Sequence, residues 1–502
     1  MNEIELKFQV PPARRAQVDA AVAGRAPQRR VRLQAVYVDT ADRLLAQAGL
    51  ALRVRREGRD WVQTLKGATD DGMRRAEHNV PLGRANEAPL ADPARHRGTA
   101  VGDRLLKLLA AQRGALLGPP LGPLYRTDIL RRTRLQRAPA GSVELAFDEG
   151  RIVAGDAHLA VCELEIELVS GSPLAVLATA RHWVARHGVW LDTRSKAERG
   201  DMLARGEAVA PARLAAAVDL HGADSLHAAW LRVLRNGTEQ IGVNASQVAS
   251  GTHGDEHVHQ LRIGLRRLRS AVRLFEFGGV PGPGADIAES ASQLFRRLGV
   301  LRDRAAIASA FTADLTAALN SAGVRGEMPA ADVAINAASA TEVLRGVAAQ
   351  TFLLDLLAAA HAEAPADDAA NGELKALLAR RLKRWHRQAA RDAQGYTELD
   401  DEGRHRLRKR IKRLRYAVEF AASLFPRAAV RRYLRALRPL QDRLGAINDT
   451  VVGMAAFKAA HDHDPRAWFA VGWLAARREL LMADAKPDLR RFAKAGGFWK
   501  EK

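Results

Sequence analysis

Two stretches decide the fold of the first half of this chain: Glu3-Ile4-Glu5-Leu6-Lys7-Phe8-Gln9-Val10 and Cys162-Glu163-Leu164-Glu165-Ile166-Glu167-Leu168. In both, charged or polar residues alternate one by one with apolar ones. That is the period of a β-strand with an apolar face and a charged face. Leu52-Arg53-Val54-Arg55 repeats it with cations, and Val62-Gln63-Thr64-Leu65-Lys66, Arg75-Ala76-Glu77 and Val143 to Asp148 read as further strands. Helices are expected around 12–23, 99–112 and 173–187, with Pro/Gly-rich loops at 67–72 and 117–123. A sheet with one wet face is the plain reading of any single strand. The set says more, because some strands carry carboxylates two residues apart while others carry Arg or Lys. Such strands suit a closed barrel whose lumen holds a divalent cation and a phosphate chain. Hard cations take carboxylate oxygens, phosphates take Arg and Lys, and neither charge type tolerates a dry interior without the other.

Composition agrees with an anionic partner. The 502 residues hold 78 Lys and Arg against 57 Asp and Glu, a formal net charge of +21. The excess is shared: 33 basic against 24 acidic residues in 1–205, and 45 against 33 in the rest. An apolar content of 47% is enough for buried cores and excludes a wholly disordered chain. No stretch has the length and apolarity of a membrane span, and the first residues do not read as a secretory signal, so a cytoplasmic protein is expected. The single cysteine, Cys162, excludes an internal disulfide framework and a cysteine-based metal site.

The strand residues resemble the CYTH superfamily, the triphosphate tunnel metalloenzymes. Glu3-Ile4-Glu5-Leu6-Lys7 has the form of its ExExK signature. The likeness continues in order through Tyr37-Val38-Asp39-Thr40, Leu52 to Arg55, Thr64-Leu65-Lys66, Arg75-x-Glu77, the FDEG around Asp148, the ELEIEL run and Ser195-Lys196-Ala197-Glu198-Arg199-Gly200. It covers about residues 1–205, with Asn79 where many members carry another acid. The resemblance implies an eight-stranded antiparallel tunnel that binds triphosphates with Mg²⁺ or Mn²⁺. Residue by residue, it implies metal-holding carboxylates at Glu3, Glu5, Asp148, Glu163, Glu165 and Glu167. Phosphate ligands are implied at Lys7, Arg53, Arg55, Lys66, Arg75, Arg131 and Lys196, with Lys7, Lys66 and Tyr37 placed closest to the chemistry. Tyr37 has two readings, a partner of Lys66 in proton handling or a strand-end aromatic filling the core.

Beyond Gly206 a short linker, taken as 206–220, leads into a region rich in Ala, Leu and Arg with helical periodicity. It repeats itself. His259-x-x-Arg262-x-x-x-Arg266-Arg267-Leu268-Arg269 recurs 146 residues later as His405-x-x-Arg408-x-x-x-Lys412-Arg413-Leu414-Arg415. The same shift carries Leu298-Gly299-x-Leu301-x-Asp303 onto Leu444-Gly445-x-Ile447-x-Asp449. Leu261, Leu265, Leu268, Val272 and Phe275 form an apolar seam, and His259, Arg262, Arg266, Arg269 and Arg273 a basic stripe beside it. Residues 404–415 hold eight Lys or Arg and no acid, crowding that disfavours an isolated helix and favours a polyanion site over solvated surface charge. A transition-metal site at the histidines is set aside, since His257 and His259 point to different helix faces.

This region, about 221–502, resembles the CHAD family of helical domains associated with inorganic polyphosphate. The resemblance implies polyphosphate contacts at His259, Arg262, Arg266, Arg269, His405, Arg408, Lys412 and Arg415. The expected architecture is therefore α+β: a tunnel over 1–205, then an all-α domain of two duplicated bundles, about 221–365 and 373–502. The expected function is metal-dependent hydrolysis of inorganic triphosphate, with polyphosphate bound by the helical domain. Alternatives are a non-catalytic polyphosphate-binding protein associated with polyphosphate granules, and a triphosphatase for thiamine triphosphate or nucleotides. Adenylyl cyclase activity is a minority reading. Nucleic-acid binding is disfavoured, because aromatics are only 5% of the chain and the basic stripes lack interleaved aromatics on which bases stack.

Overall fold

The computed structural model of the chain describes residues 2–25, 28–68, 73–111, 120–223, 225–276, 284–323, 339–362, 374–460 and 464–500. The side chains of 2, 68, 74, 75, 300–309 and 500 lie outside that description. So do most of the two expected Pro/Gly-rich loops, and the residues joining the two repeat halves.

Eight strands close into an antiparallel barrel. They are β1 (Asn2–Gln9), β2 (Gln28–Asp39), β3 (Leu50–Glu57), β4 (Asp60–Ala68), β5 (Arg74–Arg84), β6 (Gly122–Ala138), β7 (Gly141–Ala154) and β8 (Ala157–Gly171). Their order is β5-β4-β3-β2-β6-β7-β8-β1, and β1 pairs back onto the first residues of β5, with Glu3 opposite Arg75, which closes the ring. The two-residue β9 (Trp190–Leu191) adds to β1 beyond this ring.

Residues opposite one another on paired strands share a face, so the register shows which way the charges point. Glu5 lies opposite Glu167, Lys7 opposite Glu165, Asp148 opposite Glu163, Arg131 opposite Asp148, Tyr37 opposite Arg53 and Lys66 opposite Glu77. All of these belong to the inner face. The alternate residues Leu6, Phe8, Leu145, Phe147, Leu164 and Ile166 are buried on the outer face. There α1 (Arg15–Ala23) packs on β6 and β7, and α4 (Pro173–His187) packs across β1 and β6–β8. Outside β3 and β4, Leu50, Leu52 and Leu65 meet Leu45 of α2 (Leu44–Gln47) and Val101, Leu105 and Leu109 of α3 (Ala100–Ala110). The inner face thus carries the charges, apart from the end where Leu33, Ala35, Tyr37, Tyr125, Ile129, Ile152 and Val161 form an apolar cluster.

The helix α5 (Lys196–Ala204) sits against β6, β7 and β8. Ser195 starts it with a capping box: its hydroxyl accepts from the Glu198 amide at 3.1 Å, and the Glu198 carboxylate accepts from the Ser195 amide at 2.6 Å. This fixes Lys196 as the first helical residue. Gly200 then lies flat on the Tyr125 ring, where a Cβ would come within 2.3 Å of ring carbon. Tyr125 in turn stacks on Tyr37 with centroids 4.7 Å apart.

Among the described residues ten α-helices follow: α6 (Leu226–Ala249), α7 (Asp255–Phe275), α8 (Ala285–Arg297), α9 (Val300–Ser321), α10 (Ala340–Arg345), α11 (Val347–Ala360), α12 (Leu374–Gln394), α13 (Asp401–Ala421), α14 (Arg427–Ala460) and α15 (Ala467–Ala493). Shifted by 146, the bounds of α7 become those of α13, so the repeat is real at the level of elements. It is broken after α8, where Leu298-Gly299 separates two helices but Leu444-Gly445 lies inside the continuous α14. The seam residues Leu261, Leu265, Leu268, Val272 and Phe275 are all buried.

By packing, residues 1–215, 238–261 and 340–362 form one compact unit, and 216–237, 262–339 and 363–502 another. Unit boundaries therefore do not follow a single cut in the sequence. In the first unit α11 packs on α4, where Arg181 pairs with Asp355 at 2.5 Å, and the buried Gln350 accepts from the Leu191 amide at 2.7 Å. In the second, Leu315 and Leu319 of α9 pack with Phe457 of α14 and Leu474 of α15. No helix among the described residues is long and apolar enough to cross a membrane.

Candidate functional site

The lumen gathers its charges in two groups. In the first, Asp148, Glu163 and Glu165 are buried and each offers an oxygen within 4.8 Å of the others. Three cations answer these three acids. Arg131 holds Asp148 through two hydrogen bonds of 2.7 and 2.6 Å and also reaches Glu165. Lys196 reaches all three, at 2.6 Å to Asp148 and 3.0 Å to Glu165, with Glu163 its third partner. Arg199, one turn along α5, holds the other oxygen of Glu163. Burial alone would raise Glu165, but Lys196, Arg131 and Lys7 outweigh it and hold its carboxyl well below the ordinary range. Burial likewise opposes charge on Lys196, and the three acids overcome it and raise it.

The second group lies on β1, β4, β5 and β8. Lys66 reaches Glu3 at 3.0 Å and also Glu77, while Lys7 reaches Glu5 at 2.5 Å. Asn79 donates to Glu77 at 2.8 Å and accepts from Thr64 at 2.7 Å, so it supports a carboxylate. Burial, then hydrogen bonding to Glu77, pushes Glu3 up to about 8, and Glu77 is driven down to about 2 against the pull of burial by Glu3, Lys66 and Arg53. Burial beside Glu5 and Glu165 pushes Glu167 up to about 7. The six carboxylates implied as metal-holding are therefore divided, three in each group.

Two further guanidiniums, Arg53 and Arg55, stand close to Arg131. Arg53 donates to the Tyr37 hydroxyl at 3.1 Å, and Arg55 pairs with Glu57 at 2.7 Å. Burial, then the nearby Arg53, pulls Arg55 down, with Arg131 adding to the repulsion. Tyr37 has both a core place and a polar role, since its ring is buried on Tyr125 and its hydroxyl serves Arg53 rather than Lys66. The side chain of Arg75 lies outside the described residues. Glu77 and Arg199 stand inside the quoted motifs, yet sequence reasoning assigns neither a role. Their i+2 and i+3 spacing from Arg75 and Lys196 is the available signal.

Among the helical residues, Arg262 and Arg266 lie over the Phe295 ring at 4.8 and 5.6 Å. Gly299 lets Arg262 come close, since a Cβ there would fall 2.5 Å from the guanidinium. Arg269 is half-buried, its charge disfavoured by burial and by Arg273. His259 is exposed. His405 meets Asn448 at 3.1 Å, and its pKa is lowered by burial and by Lys409. Burial, then Arg408 and Arg266, pushes Lys412 down to about 7 against the pull of Asp449. The stripes of the two copies thus meet at Arg266, Arg408 and Lys412, beside the second repeated motif. Arg415 is turned to Glu419 at 3.2 Å.

The chain is thus a closed antiparallel barrel with a lumen of matched acids and bases, followed by a duplicated basic helical region. Residues 1–200 match the CYTH domain family model and residues 232–458 the CHAD domain model, so the chain carries a CYTH domain followed by a CHAD domain. It is 28% identical over 208 residues to an inorganic triphosphatase of Haemophilus influenzae, a match covering 40% of this chain and 55% of that protein. The chain thus matches about half the length of this curated relative. Among solved structures it is similar to the CHAD domain of the plant Ricinus communis, with 27% identity, 57% of this chain and 98% of that one covered, and a TM-score of 0.46. A Hippeastrum protein described as an adenylyl cyclase with a dominant triphosphatase activity aligns at 17% identity, covering 41% and 96% of the two chains with a TM-score of 0.30.

Proposed function

We propose that the barrel hydrolyses inorganic triphosphate with a divalent metal, and that the helical region binds inorganic polyphosphate. The observation that carries this reading is the polarised lumen: three buried carboxylates converge within 4.8 Å beside the crowded guanidiniums of Arg53, Arg55 and Arg131. An all-oxygen donor set of three carboxylates fits Mg²⁺ or Mn²⁺. Asp148, Glu163 and Glu165 would hold the ion, with Glu3, Glu5 and Glu167 a second acidic set; when bound, it would neutralise phosphate oxygens and polarise the terminal phosphorus.

The chain's own residues do the rest. Arg53 and Arg55, which repel one another until an anion arrives, bind the phosphate chain, with Lys66 and Lys7 at its other side. Tyr37 orients Arg53 by accepting its hydrogen bond. Lys196 and Arg131 keep the acids ionised, as Glu165 shows. The protonated carboxyls of Glu3 and Glu167 are groups that can release or take up a proton near neutral pH. Most of the catalytic effect expected is positioning and charge stabilisation.

The test is phosphate release from inorganic triphosphate, thiamine triphosphate and ATP, each with Mg²⁺, with Mn²⁺ and with chelator. Release from inorganic triphosphate that stops in chelator is the expected result. Turnover undiminished by chelator, or none with any substrate and metal, would overturn the reading, the latter leaving the polyphosphate-binding role alone.

A further inference from the structure

The helical repeat places equivalent residues near one another but breaks their charge. Arg267 and Arg413 are equivalent by the 146-residue shift, as are Arg273 and Glu419. Arg267 is buried and compensated: its guanidinium reaches Glu419 at 3.3 Å and Asn236 at 3.3 Å, and it lies over Phe420 at 4.8 Å. The equivalent place around Arg413 has arginine where the first has glutamate. The five largest influences on Arg413 are burial and then Arg273, Arg410, Arg381 and Arg384, which bring it down to about 10.

The place is built. Arg413 and Arg381 both lie over the Trp385 ring, at 4.6 and 5.4 Å, and Trp385 is itself buried. Arg381 is fixed by donating to the Arg273 carbonyl at 2.6 Å. The Nε of Arg413 is buried and has no hydrogen-bond partner among the described residues. Arg273 and Arg384 stand exposed at the rim. Among the described residues, five cations face two carboxylates here, Glu276 at 3.9 Å from Arg381 and Asp392 on Arg410. At 100° per residue, Arg413 is about a quarter-turn from Lys412, so on α13 this cluster lies off the basic stripe, while on α7 the two share Arg273.

We propose that Arg413, Arg381, Arg273 and Arg384 form a second anion site in the helical region, which takes a multiply charged phosphate anion in the place that Glu419 fills opposite Arg267. Several ionised oxygens within reach of stacked guanidiniums give short, charge-assisted hydrogen bonds that a single chloride cannot supply. The choice of phosphate rests on the reading that this region binds polyphosphate; the presence of an anion site rests on the broken symmetry alone.

Hydrogen exchange of the full chain, with orthophosphate, tripolyphosphate or long-chain polyphosphate added separately, tests it. Helix α12 carries cluster residues and none of the stripe, while the stretch of α14 around Asn448 and Asp449 reports the stripe. Tripolyphosphate or polyphosphate should protect α12, and orthophosphate should do so only at far higher concentration; protection by orthophosphate at equal concentration would assign a free-phosphate site instead of an oligophosphate one and overturn that choice. Arg273→Glu restores the missing counter-charge and should raise the concentration needed to protect α12 about tenfold or more. Arg384→Gln, at an exposed position on α12 outside both stripes, should act in the same direction while leaving α14 unchanged, and keeps the test available if Arg273→Glu does not fold. Equal protection of α12 in wild type and either variant would refute the site. Protection of α14 without α12 would refute it too while sparing the polyphosphate reading; protection of neither would refute both.

Discussion

Replacing Lys196 by Met removes one of three cations that balance three buried acids. Lys196 is the only one of the three that reaches Asp148, Glu163 and Glu165 together, and its side chain is 11% exposed. The variant keeps roughly the same side-chain length but leaves one carboxylate charge buried and unanswered. Breaking such a pair from one side costs about 3–5 kcal/mol. For a unit of this size that corresponds to a fall of about 6–20 °C in melting temperature. The same change makes the acidic trio a better cation site. Magnesium at a hundred times its dissociation constant would then return about 2.7 kcal/mol. Scanning calorimetry of wild type and variant, first in chelator and then with Mg²⁺, reads both effects. Adding Asp148→Asn to Lys196→Met restores the count of charges and should recover part of the lost stability in chelator. If the Lys196→Met protein melts within a degree of wild type in chelator, or gains no more from Mg²⁺ than wild type does, the trio is neither charge-balanced by Lys196 nor a metal site.

Glu5→Gln should fold normally and lose most of its turnover of inorganic triphosphate, because an amide supplies no anionic oxygen; full turnover at saturating metal would refute its role. Lys66→Ala and Arg55→Ala should each lower kcat/KM by the equivalent of about 2–5 kcal/mol with little change in melting; normal kinetics in both would remove the lumen as the substrate site. Lys412, lowered to about 7 in the free protein, is largely neutral above that pH, whereas a bound phosphate chain favours its charged form. Polyphosphate binding should therefore take up a proton between about pH 7 and 10 and weaken as pH rises, by at most about tenfold per unit. Calorimetric titration in buffers of different ionisation heat measures this, and a Lys412→Met protein with the same proton uptake would contradict it. Replacing Arg408, Lys412 and Arg415 by Ala should flatten the salt dependence of polyphosphate binding by up to about 0.7 per charge lost. Length-matched single-stranded DNA binding as tightly at the same salt would instead assign a nucleic-acid surface.

Much of the fold was legible in the chain itself, because periodicity records which face of an element is wet. The alternation in β1 and β8 and the constant offset of 146 need no partner to be read, and both reappear as elements with the expected faces. Strands β2 and β6 were not read from the sequence. Arg and polar residues fall on both their faces, as the Arg32 to Asp128 pair outside and Arg131 inside show, so hydropathy there loses its period of two. At the site, sequence placed the acids and bases on one face but not in their pairs. Period specifies the face of a strand, while register and closure of the barrel decide which strand stands opposite. Hence Glu3 went to Lys66 rather than to the trio, Tyr37 to Arg53 rather than to Lys66, and Lys196 became the hub of three carboxylates only once a capping box and a glycine set α5 against the strands. The same holds for the helices. The equivalence of Arg267 and Arg413 is written in the sequence, but that one meets Glu419 and the other Arg273 is decided only when the two copies pack.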